Sequence, residues 1–335
     1  MSRGVWEVPA PQLRAARLCG AAGAEGGEGG EDGEDVTVVA PLTDAHVHLE
    51  LADLPAAGSG TLARVLDLGG DPRRLAARAR TAEQSGAATE IRWAGAFLTA
   101  PGGYPTDRGW VPAGSTREIR TPAEAAAAVA EQLSGGACLI KVALHADAGP
   151  VLDDPTLSAV VDSARGCGVP VVAHVEGPGQ AARAAASGVR VLAHTPWTER
   201  LDDDLLAHTA ERMVWISTLD MHRRDGDTQA WETATENLRG FLSRGGRAVY
   251  GTDLGNGLST PELHAPEVEA LVSVGRRAGL DDADLLAAFT GAPLLPDHAG
   301  TVSVLPAEVR TAGEALAALS QSRPVRRTAL KEPPR

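Results

Sequence analysis

Two of the nine histidines stand in Asp44-Ala45-His46-Val47-His48, at the end of an apolar run. In an extended strand, residues two apart share a face, so both imidazoles can reach one metal ion. Three further apolar runs end on potential ligands: PVVAHV carries His174, VRVLAHT carries His194 and AVYGTD carries Asp253. Another run, CLIKVALH, has Lys141 in its middle, where an unpaired ammonium costs several kcal/mol. Either Lys141 pairs with a buried carboxylate, or its neutral amine has taken up CO₂ as a carbamate, an anionic ligand able to bridge two metals; arginine does not do this chemistry. Of the 31 basic residues only Lys141 and Lys331 are lysine, which makes the placement of Lys141 conspicuous.

Such residues need a scaffold that gathers strand ends. Apolar runs at 36–48, 63–68, 91–98, 138–144, 170–175, 189–194, 213–218 and 248–253 alternate with Ala-rich helical stretches, which predicts βα units and a parallel sheet. Thr121-Pro122-Ala123-Glu124 predicts a capping box ahead of a helix running to Ser134, and Asp154-Pro155 marks another helix start. Residues 36–295, about 260 in all, suit an α/β (β/α)8 TIM barrel, whose functional groups lie at the C-terminal strand ends. A doubly wound open sheet fits less well, because the first βα turn, HVHLELADLP, lacks a phosphate-cradling glycine fingerprint.

Residues 1–35 are expected to form an N-terminal flanking segment. Its stretch at 20–35, GAAGAEGGEGGEDGED, carries six carboxylates and nothing to bury, which predicts a disordered loop. Residues 296–335 predict a C-terminal flanking strand and helix, so that a small, reduced β domain comes from the two termini, with an exposed basic tail from 322 onward. A net charge of −13 argues against nucleic acid or anionic membranes as partners. Three scattered cysteines and no signal-like apolar stretch point to the cytoplasm, and no run approaches the roughly 18 apolar residues of a membrane span. The expected partner is a small-molecule substrate, with a homo-oligomer as the further assembly the chain allows.

With these residues in view, the sequence resembles the amidohydrolase superfamily of metal-dependent hydrolases, in its binuclear form with a carboxylated lysine. The resemblance runs from about residue 36 to 305. It implies that His46, His48 and Asp253 hold the more buried metal, that carboxylated Lys141 bridges, and that His174 and His194 hold the second. Two divalent ions per chain are implied, zinc for so His-rich a set, with manganese or iron(II) as alternatives. TLARVLDLGG is similar to the "TTVRDLGG" stretch, and GAFLTAPGGYP to the "TxxGGH" loop, of imidazolonepropionase-like and prolidase-like members, which cleave amide bonds in small cyclic or dipeptide-like substrates. Tyr104 stands where that loop usually carries His, and GTVSVLP resembles the returning "ADLVVL" strand without its Asp. The implied reaction is hydrolysis of a C–N bond by attack of a metal-activated bridging hydroxide on the scissile carbonyl, with Asp253 as acid and base.

Substrate contacts are expected from Tyr104 and Trp110 in the long 99–120 loop, from His145 at the top of the fourth run, and from His222 and Arg223 after the seventh, where they and Arg224 could bind a substrate carboxylate. His208, His264 and His298 are expected to be surface or packing residues. The alternatives are a mononuclear deaminase or imidazolonase, which needs no lysine carbamate, a lactone or phosphoester hydrolase with the same six ligands, and, more distantly, a non-catalytic metal-binding member.

Overall fold

The structure is a computed structural model that describes residues 11–19, 33–52, 60–292, 294–295 and 300–331. Its strands, in chain order, are β1 (Arg14–Cys19), β2 (Gly33–Val39), β3 (Thr43–Val47), β4 (Arg64–Asp67), β5 (Glu90–Trp93), β6 (Phe97–Thr99), β7 (Thr116–Glu118), β8 (Ile140–His145), β9 (Val171–Glu176), β10 (Val191–Leu192), β11 (Val214–Ile216), β12 (Arg247–Val249), β13 (Thr301–Pro306), β14 (Arg323–Arg326) and β15 (Leu330–Lys331). Seven form a parallel sheet, β12-β11-β10-β9-β8-β6-β7, and three a second one, β3-β4-β5. The Cys138 N–H donates to the Trp93 carbonyl (2.9 Å) on one side, and on the other the Ala45 N–H donates to the Tyr250 carbonyl (3.0 Å) beside a Val47–Leu254 parallel bridge. The two sheets together make a barrel-like α/β fold.

Strand parity decides what faces the inside. Ala45, Leu66, Leu139, Val172, Val214 and Val249 belong to a buried cluster drawn from strands and the loops beside them but from no helix, whereas Val142, Leu144, Ala173 and Val175 pack in the cluster shared with the helices. By the period of two, Lys141 and His145 on β8 and His174 and Glu176 on β9 therefore face inward. The Pro122–Ser134 helix buries Ala125, Ala128, Val129 and Gln132 at helical spacing, and Asp153 caps the Asp154–Gly166 helix by accepting from the Thr156 N–H (2.8 Å). Among the described residues no helix is long and apolar enough to cross a membrane.

Beside the barrel-like part lies an antiparallel sheet, β14-β13-β2-β1-β15, with its own core of Ala16, Val36, Val38, Val302, Val304 and Val325. Several expectations change here. The 36–48 run divides between β2 and β3, because Pro41 offers no N–H to a ladder. The 91–98 run divides likewise into β5 and β6, which belong to different sheets. Of the expected 20–35 loop, residues 20–32 lie outside the described residues, but Gly33–Asp35 open β2, paired with Arg17–Cys19. The basic tail is also a strand region: β14 pairs with β13 and buries Val325, and β15 pairs with β1, because an antiparallel sheet can keep a polar face in water. Residues 332–335 lie outside the described residues. The Thr121 capping box does not form, since Glu124 accepts from the Arg120 N–H instead (3.0 Å); a box forms at Thr311 and Glu314. Within the 99–120 loop, Thr116–Glu118 is the edge strand β7.

Candidate active site

The C-terminal ends of the parallel strands surround a cavity of about 660 Å³, and His46, His48, Lys141, His174, His194 and Asp253 all line it. The register of β3 against β4 shifts between Asp44 and Val47, and such an irregularity re-aims side chains. His46 Nε2 lies 3.3 Å from His48 Nε2 and 3.2 Å from Asp253 Oδ1, and His48 Nε2 is 3.5 Å from that same oxygen. The opposite ring nitrogens are committed: His46 Nδ1–H donates to the Ala193 carbonyl (2.8 Å) and His48 Nδ1–H to the Gly69 carbonyl (3.2 Å). Carbonyls only accept, so both Nε2 atoms keep free lone pairs. Position 69 admits only glycine, because a Cβ there would come within 2.1 Å of the Phe97 ring.

Asp253 takes a left-handed conformation, φ 56°, which Asp tolerates better than most residues. Burial pushes its carboxyl up, but contact with His48 and the charges of His194, His48 and Lys141 outweigh burial and hold it below the usual carboxylate range. Behind it, Asp44 accepts from Thr252 Oγ1–H (2.6 Å), the Thr252 N–H (3.1 Å) and the His46 N–H (3.0 Å), tying the start of the parallel array to its end.

Lys141 is 1% exposed, with Nζ 5.7 Å from the centre of the Phe97 ring. Burial pulls its ammonium down to about 7, against the opposing fields of Asp253 and Asp67. No carboxylate among the described residues forms an ion pair with it, so the simple buried pair is not what this position contains. His194 follows β10, and its Nδ1 is 2.9 Å from Thr218 Oγ1. Thr218 has φ 42°, a conformation that costs a β-branched residue on the order of 1–3 kcal/mol. The His194 ring centroid is 4.5 Å from that of His46 and 5.0 Å from that of His174. His174 Nε2 and His145 Nδ1 each lie 3.1 Å from Glu176 Oε2. Two groups can thus gather ligand atoms around one ion: His46, His48 and Asp253, and His145, His174 and Glu176.

No protein-family model matches the chain, and no curated protein matches it in sequence. Solved structures do match. A Xaa-Pro dipeptidase with methionine in its active site aligns over 97% of this chain and 100% of its own, at 15% identity and a TM-score of 0.65. A. niger ochratoxinase aligns over 93% of this chain and 92% of its own, at 14% identity and 0.64, and molinate hydrolase over 97% and 95%, at 14% and 0.61. These proteins and this chain share a fold.

The outer residues fall into place less uniformly. Tyr104 lines the cavity, stacked on His174 at 5.2 Å between centroids, and Trp110 lies over His48 at 6.5 Å, 40% exposed. His145 sits behind Tyr104, 4.8 Å between ring centroids, with its Nδ1 beside Glu176 but without a hydrogen bond. His222 lines the wall, buried against Trp197. Arg223 does not line the cavity. It lies one residue further round the short Asp220–Arg224 helix and places its guanidinium 4.1 Å from the Trp231 ring centre. Arg224 bonds to the Thr252 carbonyl (3.2 Å) and approaches Asp220 (3.5 Å), and it does not line the cavity either. His208 is exposed, His264 bonds to Asp220 (2.8 Å), and His298 lies outside the described residues. Sequence reasoning missed Glu176, although its place two residues after His174 was a readable signal; it missed Thr218 and Trp197 too, for which only spatial proximity speaks.

Proposed function

We propose that the chain is a metal-dependent member of the amidohydrolase superfamily, an eight-stranded (β/α)8 barrel that hydrolyses a C–N bond, in an amide, cyclic amide or dipeptide-like link, of a small molecule. Its eight staves would be β3, β4, β5 running on into β6, and β8 to β12. The observation that carries this is the convergence of His46, His48 and Asp253 on one point, beside Lys141, His174 and His194, in a fold shared with a dipeptidase and two hydrolases.

The nitrogen and oxygen donors present fit a pair of divalent ions, zinc first. His46, His48 and Asp253 would hold one ion, His174 and His194 the other, and Lys141, as a carbamate, both. When bound, the metals supply a nucleophile at neutral pH by acidifying water, and they polarise the scissile carbonyl. The chain does the rest. Asp253, kept ionised, accepts the nucleophile's proton and delivers it to the leaving nitrogen. The Lys141 amine, lowered to about 7, is neutral often enough near neutral pH to add to CO₂ and lose a proton. The Ala193 and Gly69 carbonyls hold the His46 and His48 rings with Nε2 unprotonated, and Tyr104 and Trp110 cover the reacting bond. We place the protein in the cytoplasm, in keeping with free Cys138 and Cys167.

The test is elemental analysis of the purified protein together with hydrolysis of N-acyl amino acids, dipeptides, cyclic imides and lactams, before and after chelation. Two metals per chain and chelator-sensitive amide cleavage are expected. One metal per chain would favour the mononuclear alternative, and cleavage of lactones or phosphoesters but no amide would overturn the proposed reaction.

A further inference from the structure

Beyond the six inner residues, the cavity wall carries three carboxylates, Glu176, Asp225 and Asp227, and four large aromatic rings, Phe97, Tyr104, Trp110 and Trp197. Among the described residues, Lys141 is the only Lys or Arg that lines it. Three arginines stand behind the lining with their guanidinium groups engaged: Arg223 on Trp231, Arg224 on the Asn256 and Thr252 carbonyls and Asp220, and Arg108 on Asp107 (3.3 Å) and the Tyr104 ring (5.7 Å). His222 is an independent sign of a ligand. It is 4% exposed, it faces the cavity, and its imidazole has no hydrogen-bond partner among the described residues. Burial pulls it down to about 4, so it is neutral at pH 7 and adds no positive charge to the wall. The Asp225 carboxylate also lacks a partner among the described residues, while Asp227 caps the Thr228–Leu242 helix through one oxygen, accepting from the Ala230 N–H (2.9 Å).

We infer that the substrate carries a cationic arm, an amine or guanidinium group, which points away from the metal ligands toward Asp225, Asp227 and His222 and lies against Trp197. Carboxylates and π faces attract a cation, and a neutral imidazole nitrogen accepts its N–H. A carboxylate-bearing arm would meet acids without a counter-ion. The inference rests on the hydrolase reading for the reaction but on the wall residues for the charge. Asp225 and Asp227 are exposed, so each contributes a screened attraction worth tenfold or less.

The test compares the metal-loaded enzyme on four dipeptides, Ala-Lys, Ala-Arg, Ala-Met and Ala-Glu, and measures binding of agmatine and of glutarate by calorimetry. The expected result is a kcat/KM for the cationic pair about tenfold above Ala-Met and about a hundredfold above Ala-Glu. This advantage should shrink as salt is raised, and agmatine should bind where glutarate does not. The D225N/D227N double variant should bring the cationic and neutral substrates to within about threefold of each other, seen mainly in KM. Equal cleavage of all four dipeptides, or a charge preference that the double variant leaves intact, would overturn the cationic arm and leave the hydrolase reading standing. Agmatine binding without cleavage of any amide would do the reverse.

Discussion

At the cavity floor, His46 and His48 each commit one ring nitrogen to a backbone carbonyl, whereas at the mouth His222 keeps its imidazole free of any hydrogen bond among the described residues. The floor is assembled from strand ends and is almost wholly buried; the mouth is assembled from the 99–120 segment and the turn after β11, where Trp110, Asp225 and Asp227 are exposed. The contrast fits the roles proposed for the two ends. Ligand atoms must stay within tenths of an ångström to hold an ion, and strands braced by neighbours achieve that, while side chains that select a substrate can sit on loops. Backbone strain is concentrated on the rigid side, at Thr218 and Asp253.

The largest blow to the floor should come from Asp253→Asn. About a 10³-fold loss of kcat is expected, with at least one metal still present by elemental analysis; near-normal turnover would remove Asp253 from its proposed role. Lys141→Ala should lose one ion and about a hundredfold in activity, with partial rescue by formate or acetate, and electron density of the wild-type protein should extend beyond Nζ. An unmodified ammonium in a metal-loaded crystal would rule the carbamate out. Thr218→Val, which keeps the shape but not the Oγ1, should cost roughly tenfold in metal affinity or kcat by freeing the His194 ring, and Thr218→Ser should restore it.

A smaller effect probes the support beneath the mouth. Burial pushes the Glu267 carboxyl up to about 8, against hydrogen bonds from Asp220, Ser217 and Leu219, and its Oε2 accepts from the Asp220 N–H at 2.6 Å. A carboxyl raised in the folded state is stabilising when protonated, so its contribution is full below the unfolded value near 4.5 and is lost as pH climbs through about 8. Stability from urea melts should fall across that window by up to about 1 kcal/mol per pH unit, and Glu267→Gln should flatten the slope; an unchanged slope would show that another group sets it. Least of all, Arg223→Ala should change kcat/KM within about twofold, because its guanidinium lies on Trp231, away from the cavity. A large loss would bring Arg223 back to the substrate and blur the line between floor and mouth.

Much of the floor was legible because strand ends carry local signals. Apolar runs ending in His or Asp, and Lys141 inside one of them, mark positions that period-two alternation then turns inward. Glu176 obeys the same parity as His174 and could have been read with it. The mouth was poorly legible. Arg223 and His222 are adjacent in sequence, yet one full residue step around a short helix sends them to different surroundings, a difference that no composition or spacing reveals. The flanking sheet from the two termini was legible, but its extent was not: the acidic and basic stretches read as solvated ends, while strand pairing needs only alternate residues to be apolar, as Val36, Val38 and Val325 are.

The sequence by itself determined the βα alternation, the ligand types, their chain order and the rarity of Lys141, because periodicity and residue chemistry are local properties. Only the tertiary structure decided which ring nitrogen each histidine offers, that Asp44 ties the first parallel strand to Thr252, that Thr218 holds His194, and that no arginine among the described residues lines the cavity. Those contacts join residues up to 208 positions apart in the chain, and their geometry exists only once the parallel strands have packed side by side in the barrel-like fold.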